Sequence, residues 1–395
     1  MRLYSFPIIA LALHLAIDFW IWRIILNRKW PKWIQTAHIA VSSALLVMVI
    51  AAVSFLYSGS QTLGIQSIMW ILFTYISIYI PKYFAAIIAA LLYVPKIFGC
   101  SLRRLALVIP GAVWLLLFCT MWWGSLVTRN QIEVRQVAIE SPRIPSEFNG
   151  YRIAQFSDIH LGTYGTDTTL ISRVVDQING LKPDLICFTG DIVNSTTEEA
   201  YPFEATLKRL NAPDGILSIL GNHDYGDYHQ WKTPSDRDRN NRQLANLEAR
   251  LGWALLNNSD TIIHRHESQI CLIGVENWGE PPFPQYGRLV DAHDNLYDDT
   301  YKILLSHNPK HWRAEVLTTS NIDLTLAGHT HAMQVELRLF GHRMSIARLK
   351  YEEWGGLYNS NGQLLYVNTG IGQVAVPMRI GAKPEITLFT LRHTD

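Results

Sequence analysis

Acidic residues are almost missing from the first third of this 395-residue chain. Residues 1–130 carry one, Asp18, against ten Lys and Arg; the remainder holds 32 acids against 24 bases, a net of −8. So acidic a C-terminal part lacks the basic stripe that non-specific nucleic-acid binding needs, and no nucleic-acid partner is expected. Cysteine is scarce too. Cys100, Cys119, Cys187 and Cys271 lie in or beside apolar spans or in expected core strands, so no disulfide framework is visible.

What fills the first third is apolar sequence. Four stretches, about 3–26, 34–57, 65–94 and 105–123, meet the length of roughly 20 residues that a bilayer-crossing helix needs, so residues 1–126 read as an all-α transmembrane domain. Fourfold recurrence excludes a cleaved signal peptide as the explanation. The third stretch contains Pro81 and Lys82 and is expected to tilt, kink or lie partly in the interface. Trp20, Trp22, Trp30, Trp33, Trp70, Trp122 and Trp123 gather towards span ends, as interfacial anchors do. Loop charge then sets an orientation. Arg28, Lys29 and Lys32 follow the first span and Lys96, Arg103 and Arg104 the third, whereas 58–64 is uncharged. Cationic loops stay cytoplasmic, which places both termini and the C-terminal part outside the cytoplasmic membrane; a re-entrant third stretch would reverse this. His14 and Asp18, four apart on one helix face, read as a pair at the outer interface or inside the bundle, with a transport role as the alternative.

Residues 127–150 read as a linker with a first strand at 132–139, ended by Pro142 and Pro145. From 151 onward short apolar runs alternate with helical patterns: strands at 151–157, 185–189, 215–220, 268–275, 301–306 and 322–327, and helices at 170–180, 198–210 and 240–251. Sheet-like alternation closes the chain at 335–339, 364–368 and 386–391. That order is α/β, with functional groups expected at strand carboxyl ends. Residues 225–239, with Tyr225, Tyr228, His229 and Trp231, and 280–295, with Phe283 and Tyr286, show no regular signature and are candidate substrate rims.

Directly after the apolar runs stand Asp158-Ile-His160, Gly190-Asp191, Gly221-Asn-His-Asp224, His307 and Gly328-His-Thr-His331. Carboxylate and amide oxygens mixed with imidazole nitrogens suit borderline ions such as Zn²⁺, Mn²⁺ and Fe. The inventory is large enough for two ions side by side.

These five motifs, in this order, resemble the calcineurin-like metallophosphoesterase superfamily, and residues 366–386 resemble the closing segment of its membrane-linked bacterial members. The resemblance covers about 131–395 and implies two packed mixed β-sheets flanked by helices in a domain spanning 151–395. It implies one metal held by Asp158, His160 and His331, Asp191 bridging both, and Asn222, His307 and His329 completing the second. The ions would be divalent or mixed-valence Mn, Zn or Fe, with a bridging hydroxide as nucleophile. His223 is the expected phosphoryl-stabilising or proton-donating group, Asp224 the expected holder of its tautomer, and Asn368 and Arg379 are possible substrate contacts. Two departures stand out: Asn194 where the second motif often ends in Asp, and Ala332-Met333 where many relatives carry two glycines. The expected activity is hydrolysis of a lipid or lipid-linked phosphodiester or pyrophosphate at the membrane. A broad phosphomonoesterase and a silent receptor or scaffold are the alternatives.

Overall fold

The computed structural model describes residues 5–27, 29–58, 64–93 and 105–395, which form two compact units, Met1–Ser125 and Leu126–Asp395. In the first, the four expected spans are helices: α1 (Ser5–Asn27), α2 (Lys32–Ser58), α3 (Ile65–Tyr93) and α4 (Leu105–Leu126). Among the described residues three helical stretches, Lys32–Phe55, Ile65–Tyr93 and Val108–Asn130, are long and apolar enough to cross a membrane, which supports a multi-pass integral membrane protein. Val47, Leu91 and Leu116 point outward, as lipid-facing side chains do. Pro81 does not end α3, which runs unbroken for 29 residues, about 43 Å of helix. The charged loop stretches behind the orientation argument (28 and 94–104) lie outside the described residues, as does most of the uncharged 58–64 loop. His14 and Asp18 pair inside the bundle: Asp18 accepts from the Tyr79 hydroxyl (2.5 Å) and Lys82 Nζ (2.9 Å), with His14 Nε2 3.4 Å away. These contacts stitch α1 to α3.

The second unit holds fourteen strands among its described residues. The first sheet contains β1 (Glu133–Ser141), β2 (Arg152–Phe156), β3 (Leu185–Phe188), β4 (Ile216–Ser218), β5 (Ala254–Leu255) and β14 (Glu385–His393), in the order β1-β14-β2-β3-β4-β5. The second contains β6 (Ser259–Arg265), β7 (Ser268–Gly274), β8 (Tyr301–Leu305), β9 (Leu324–Ala327), β12 (Gly356–Ser360) and β13 (Gln363–Val367), in the order β12-β13-β9-β8-β7-β6. A separate ribbon pairs β10 (Glu336–Leu339) with β11 (His342–Ser345). Both six-stranded sheets mix parallel and antiparallel pairs, as the resemblance implied.

Strand alternation explains the layers. Ile153, Leu185, Cys187 and Leu217 meet Leu272, Ile303, Leu305, Leu324 and Leu326 between the sheets. The opposite face of the first sheet, Ala154, Phe156, Ile186 and Phe188, packs on Val174, Val175 and Ile178 of α5 (Thr169–Gly180) and on Leu244, Leu247 and Leu251 of α7 (Pro234–Leu251). Parallel pairing of β2, β3 and β4, and of β8 and β9, sends the carboxyl ends within each set the same way.

The first strand expected within 127–150 is β1, which pairs with β14 along nine residues. Two expectations change. The 198–210 helix becomes 3-10 turns over Thr197–Phe203 and a short α6 (Glu204–Leu207), since Pro202 inside the run removes a donor. The last six residues of the supposedly irregular 225–239 are helix: Pro234 opens α7, and Thr233 caps it by accepting from the Asp236 amide.

Candidate metal centre

Five strands deliver the candidate ligands: β2 leads to Asp158 and His160, β3 to Asp191, β4 to Asn222, β8 to His307, and β9 to His329 and His331. The backbone bends sharply to turn them inward. Asp158 (φ 52°), His160 (50°), Asp191 (61°), His329 (72°) and His331 (49°) all occupy the left-handed region, which costs a residue with a Cβ free energy. Glycine makes room beside them. A Cβ on Gly221 would stand 2.2 Å from Asp191 Oδ1, and one on Gly372 2.1 Å from the Ile159 carbonyl.

Two donor clusters result. Asp158, His160 and His331 form one, with His331 Nε2 3.2 Å from Asp158 Oδ1 and 3.1 Å from His160 Nε2. Asp191, His307 and His329 form the other, with His307 Nε2 3.2 Å from Asp191 Oδ2. Asn222 Oδ1 joins them, 2.8 Å from His329 Nδ1 and 3.1 Å from His307 Nε2. Asp191 Oδ2 also lies 3.6 Å from His160 Nε2, so this carboxylate reaches both clusters. Ligands about 2.0–2.2 Å from one ion stand roughly 3–3.6 Å apart, so the donor set fits two divalent ions.

Carbonyl partners select the free ring nitrogens. His307 Nδ1 donates to Thr189 O (2.7 Å) and His160 Nδ1 to Val193 O (3.2 Å), which leaves Nε2 of each as the ligand atom. His329 is reversed: Nδ1 faces the cluster and Nε2 meets the Tyr351 hydroxyl at 3.0 Å. Burial keeps His160 well below the ordinary imidazole range, and burial with the nearby His307 charge takes His329 down to about 3. Burial opposes ionisation of Asp158 and Asp191, but neighbouring imidazoles outweigh it and hold both below the usual carboxylate range. For His307 burial also opposes the charge, yet Asp191 and Asp158 push it up to about 10. The pocket thus demands positive charge, which a proton on His307 or a metal cation satisfies.

His223 Nδ1 donates to the Asn194 carbonyl at 2.7 Å, and its ring stacks on Tyr228 at 4.5 Å. Asp224 therefore does not set the His223 tautomer. Its carboxylate accepts from the amides of Asp191, Ile192, Val193 and Gly221, holding the bridging loop in shape. Asn194, the departure from the motif, orients His223 through its carbonyl while its side chain accepts from the Thr163 amide.

Neither expected substrate contact lines the cleft. Asn368 is fully buried, donates to Thr387 Oγ1 and accepts from the Gly370 amide, fixing the turn that packs on Asp158. Arg379 is fully buried as well. It donates to the carbonyls of Gly372, Ala382 and Thr369, with Nη2 3.2 Å from His331 Nδ1, so it supports a ligand from behind.

The cleft floor is Asp191, Asn222, His223, His329 and His331, and its walls are Tyr228, Thr330, Met333, Gln334, Tyr351, Val374 and Val376. Of the aromatics named in 225–239 only Tyr228 reaches it; Tyr225 is buried, stacked on Tyr286. Tyr351 has no local signal in the sequence, lying twenty residues beyond the last ligand. Ala332, Met333 and Gln334 continue the left-handed run (φ 51°, 44° and 61°), a backbone that favours glycine.

Fold and donor set together define a metal-dependent phosphoesterase scaffold with two candidate ion sites. The chain belongs to the calcineurin-like phosphoesterases, whose profile matches residues 151–333. It is 36% identical over 273 residues to the uncharacterized metallophosphoesterase YkuE of Bacillus subtilis, covering 67% of this chain and 87% of that one. It is 30% identical over 281 residues to a transmembrane protein with metallophosphoesterase domain from Danio rerio, covering 69% of this chain and 60% of that one. It is 26% identical over 313 residues to the UDP-2,3-diacylglucosamine pyrophosphatase LpxG of Chlamydia trachomatis, covering 68% of this chain and 92% of that one.

Proposed function

We propose that this protein is a two-metal phosphoester hydrolase acting at the membrane surface on a lipid-linked phosphodiester or pyrophosphate. The observation that carries the reading is the cleft itself: a floor of metal donors under walls of Tyr228, Met333, Tyr351, Val374 and Val376, with Thr330 and Gln334 among them but hydrogen-bonded to backbone, in a chain with apolar spans. Polar walls would suit a free phosphate monoester; these suit a phosphate with apolar substituents. The relative named as a diacylglucosamine pyrophosphatase supports the same substrate class.

When bound, the ions would supply Lewis acidity and an acidified water as nucleophile. The chain supplies the rest. His223, anchored by Nδ1 to Asn194, presents Nε2 for a proton delivered to the departing oxygen. Asn222 contributes a neutral oxygen and donates to the Tyr228 hydroxyl, which limits the negative charge that would repel a phosphate. The proposal places the Leu126–Asp395 unit outside the cytoplasm, supported by the cationic residues at 28–32 and 96–104. The net of −8 over 131–395 supports a substrate other than nucleic acid.

The test uses full-length protein loaded with Mn²⁺ or Zn²⁺ and Asp191→Asn as control. An activated diester, the matching monoester and a bacterial lipid extract are compared. Diester or lipid turnover lost in the variant is expected. Monoester turnover alone would make this a general phosphatase, and no turnover with any metal would leave a scaffold.

A further inference from the structure

The β10–β11 ribbon has its amphipathic faces the wrong way round for a protein surrounded by water. Strand register puts Leu337 opposite Met344 and Arg338 opposite Arg343, so apolar and charged side chains occupy opposite faces. The polar face is anchored inward through Glu336, although Arg338 on it is itself 55% exposed. Glu336 is buried and takes ion pairs from Arg343 (2.8 Å) and Arg338 (3.0 Å), while Ser345 Oγ donates to the Ala332 carbonyl. The apolar face looks out: Leu337, Leu339 and Met344 are about half exposed, and Phe340 at the tip is 91% exposed. Ile346 and Leu349, the latter 92% exposed, extend this surface past β11. The ribbon also starts at the cleft, because Met333 and Gln334 line it and β10 begins two residues later.

A patch of this size on a soluble face needs an occupant. Charge identifies it. Arg338 and Arg343 are taken up by Glu336, but Arg348 and Lys350 flank the exposed Leu349 with no carboxylate between 337 and 351, inside a unit whose net charge is negative. Cations collaring an exposed apolar tip are the composition of a segment that sits at the headgroup boundary of an anionic bilayer. A second copy of this acidic protein would suit the cations, but it offers no reason for an apolar tip with a basic collar beside a phosphate-binding cleft. The apolar spans meanwhile keep a bilayer within reach of every copy.

We infer that the β10–β11 ribbon, with Phe340 and Leu349 as its leading side chains, inserts into the interface of an anionic lipid bilayer and brings the mouth of the metal cleft to the headgroups. This deepens the lipid-linked reading above, but its test needs no turnover. Phe340→Cys is labelled with an environment-sensitive fluorophore in full-length protein carrying Cys100→Ser and Cys119→Ser, then reconstituted in vesicles of phosphatidylcholine and phosphatidylglycerol. Position 340 is so exposed that the label disturbs no packing. Blue-shifted emission, quenched by lipids brominated on their acyl chains and weakened several-fold without phosphatidylglycerol, is expected. Water-like emission indifferent to brominated lipid overturns the inference, and so does energy transfer between labelled copies without lipid quenching, which would assign the face to a second copy. A catalytically silent protein that still shows the quenching would sink the hydrolase reading and leave this one standing.

Discussion

His223 and Arg379 separate two ways in which one side chain can matter to a metal site. His223 lies in the cleft with Nδ1 fixed by Asn194; it comes within ligand distance of His160 and Asp191 but stands outside the Asp158–His160–His331 and Asp191–His307–His329 clusters. His223→Asn should lower kcat about 10²–10⁴-fold while elemental analysis still finds the wild-type metal content. Arg379 touches no cleft surface but backs His331, so Arg379→Met should weaken metal affinity by about 10–100-fold. A metal titration of turnover would register that loss as a shift in half-saturation with little change in kcat at saturation. Both residues were visible in the sequence as candidates, yet their roles were not. Which nitrogen of His223 meets a carbonyl, and whether Arg379 faces cleft or core, depends on loops far apart in the chain.

Elements carry the next level of argument, and α7 is the clearest case. Thr233, Pro234 and Asp236 form a capping box and a proline start, so Thr233→Ala should cost about 1 kcal/mol, read from the shift in denaturant midpoint at constant slope. On its inner face α7 buries Glu248, which accepts from Ser218 Oγ at 2.5 Å on β4. Burial pushes this carboxyl up to about 8. Between about pH 5 and 8 the folded state keeps a proton that the unfolded chain releases. The stabilising contribution is therefore full at the acid end, declines as pH rises through that window and is lost above it. Glu248→Gln should flatten this slope in unfolding curves taken across the window. The strands were legible from alternation and the ligand-bearing turns from their motifs. The start of α7 was not, because its first two turns are polar and carry no apolar periodicity.

For the whole molecule, the two units predict separate responses to metal. Ions that bind the folded second unit stabilise it by RT ln(1 + [L]/Kd), about 4 kcal/mol at a thousandfold excess over Kd. Chelation should therefore lower the melting temperature of one transition, and Asp191→Asn should abolish the metal-dependent part of that shift. The membrane unit has a different weak point. Asp18→Asn leaves Lys82 without its carboxylate inside the bundle, so helix-bundle unfolding in detergent should move to lower temperature with the metal response intact.

By itself the sequence determined the division into an apolar third and an acidic remainder, because charge and hydropathy are properties of composition. It also named seven candidate metal donors through the motifs that carry the family resemblance, and the fold gathers them into adjoining clusters. Tertiary structure decided what surrounds them. Tyr351 reaches His329, Asp224 holds the bridging loop and not His223, and Asn368 turns into the core, all through contacts made across long stretches of chain. The β10–β11 ribbon shows the reason most plainly. Alternation at 335–339 announces a strand but cannot say which face is inward, and here the Glu336–Arg343 pair claims the inside and leaves the leucines to the outside.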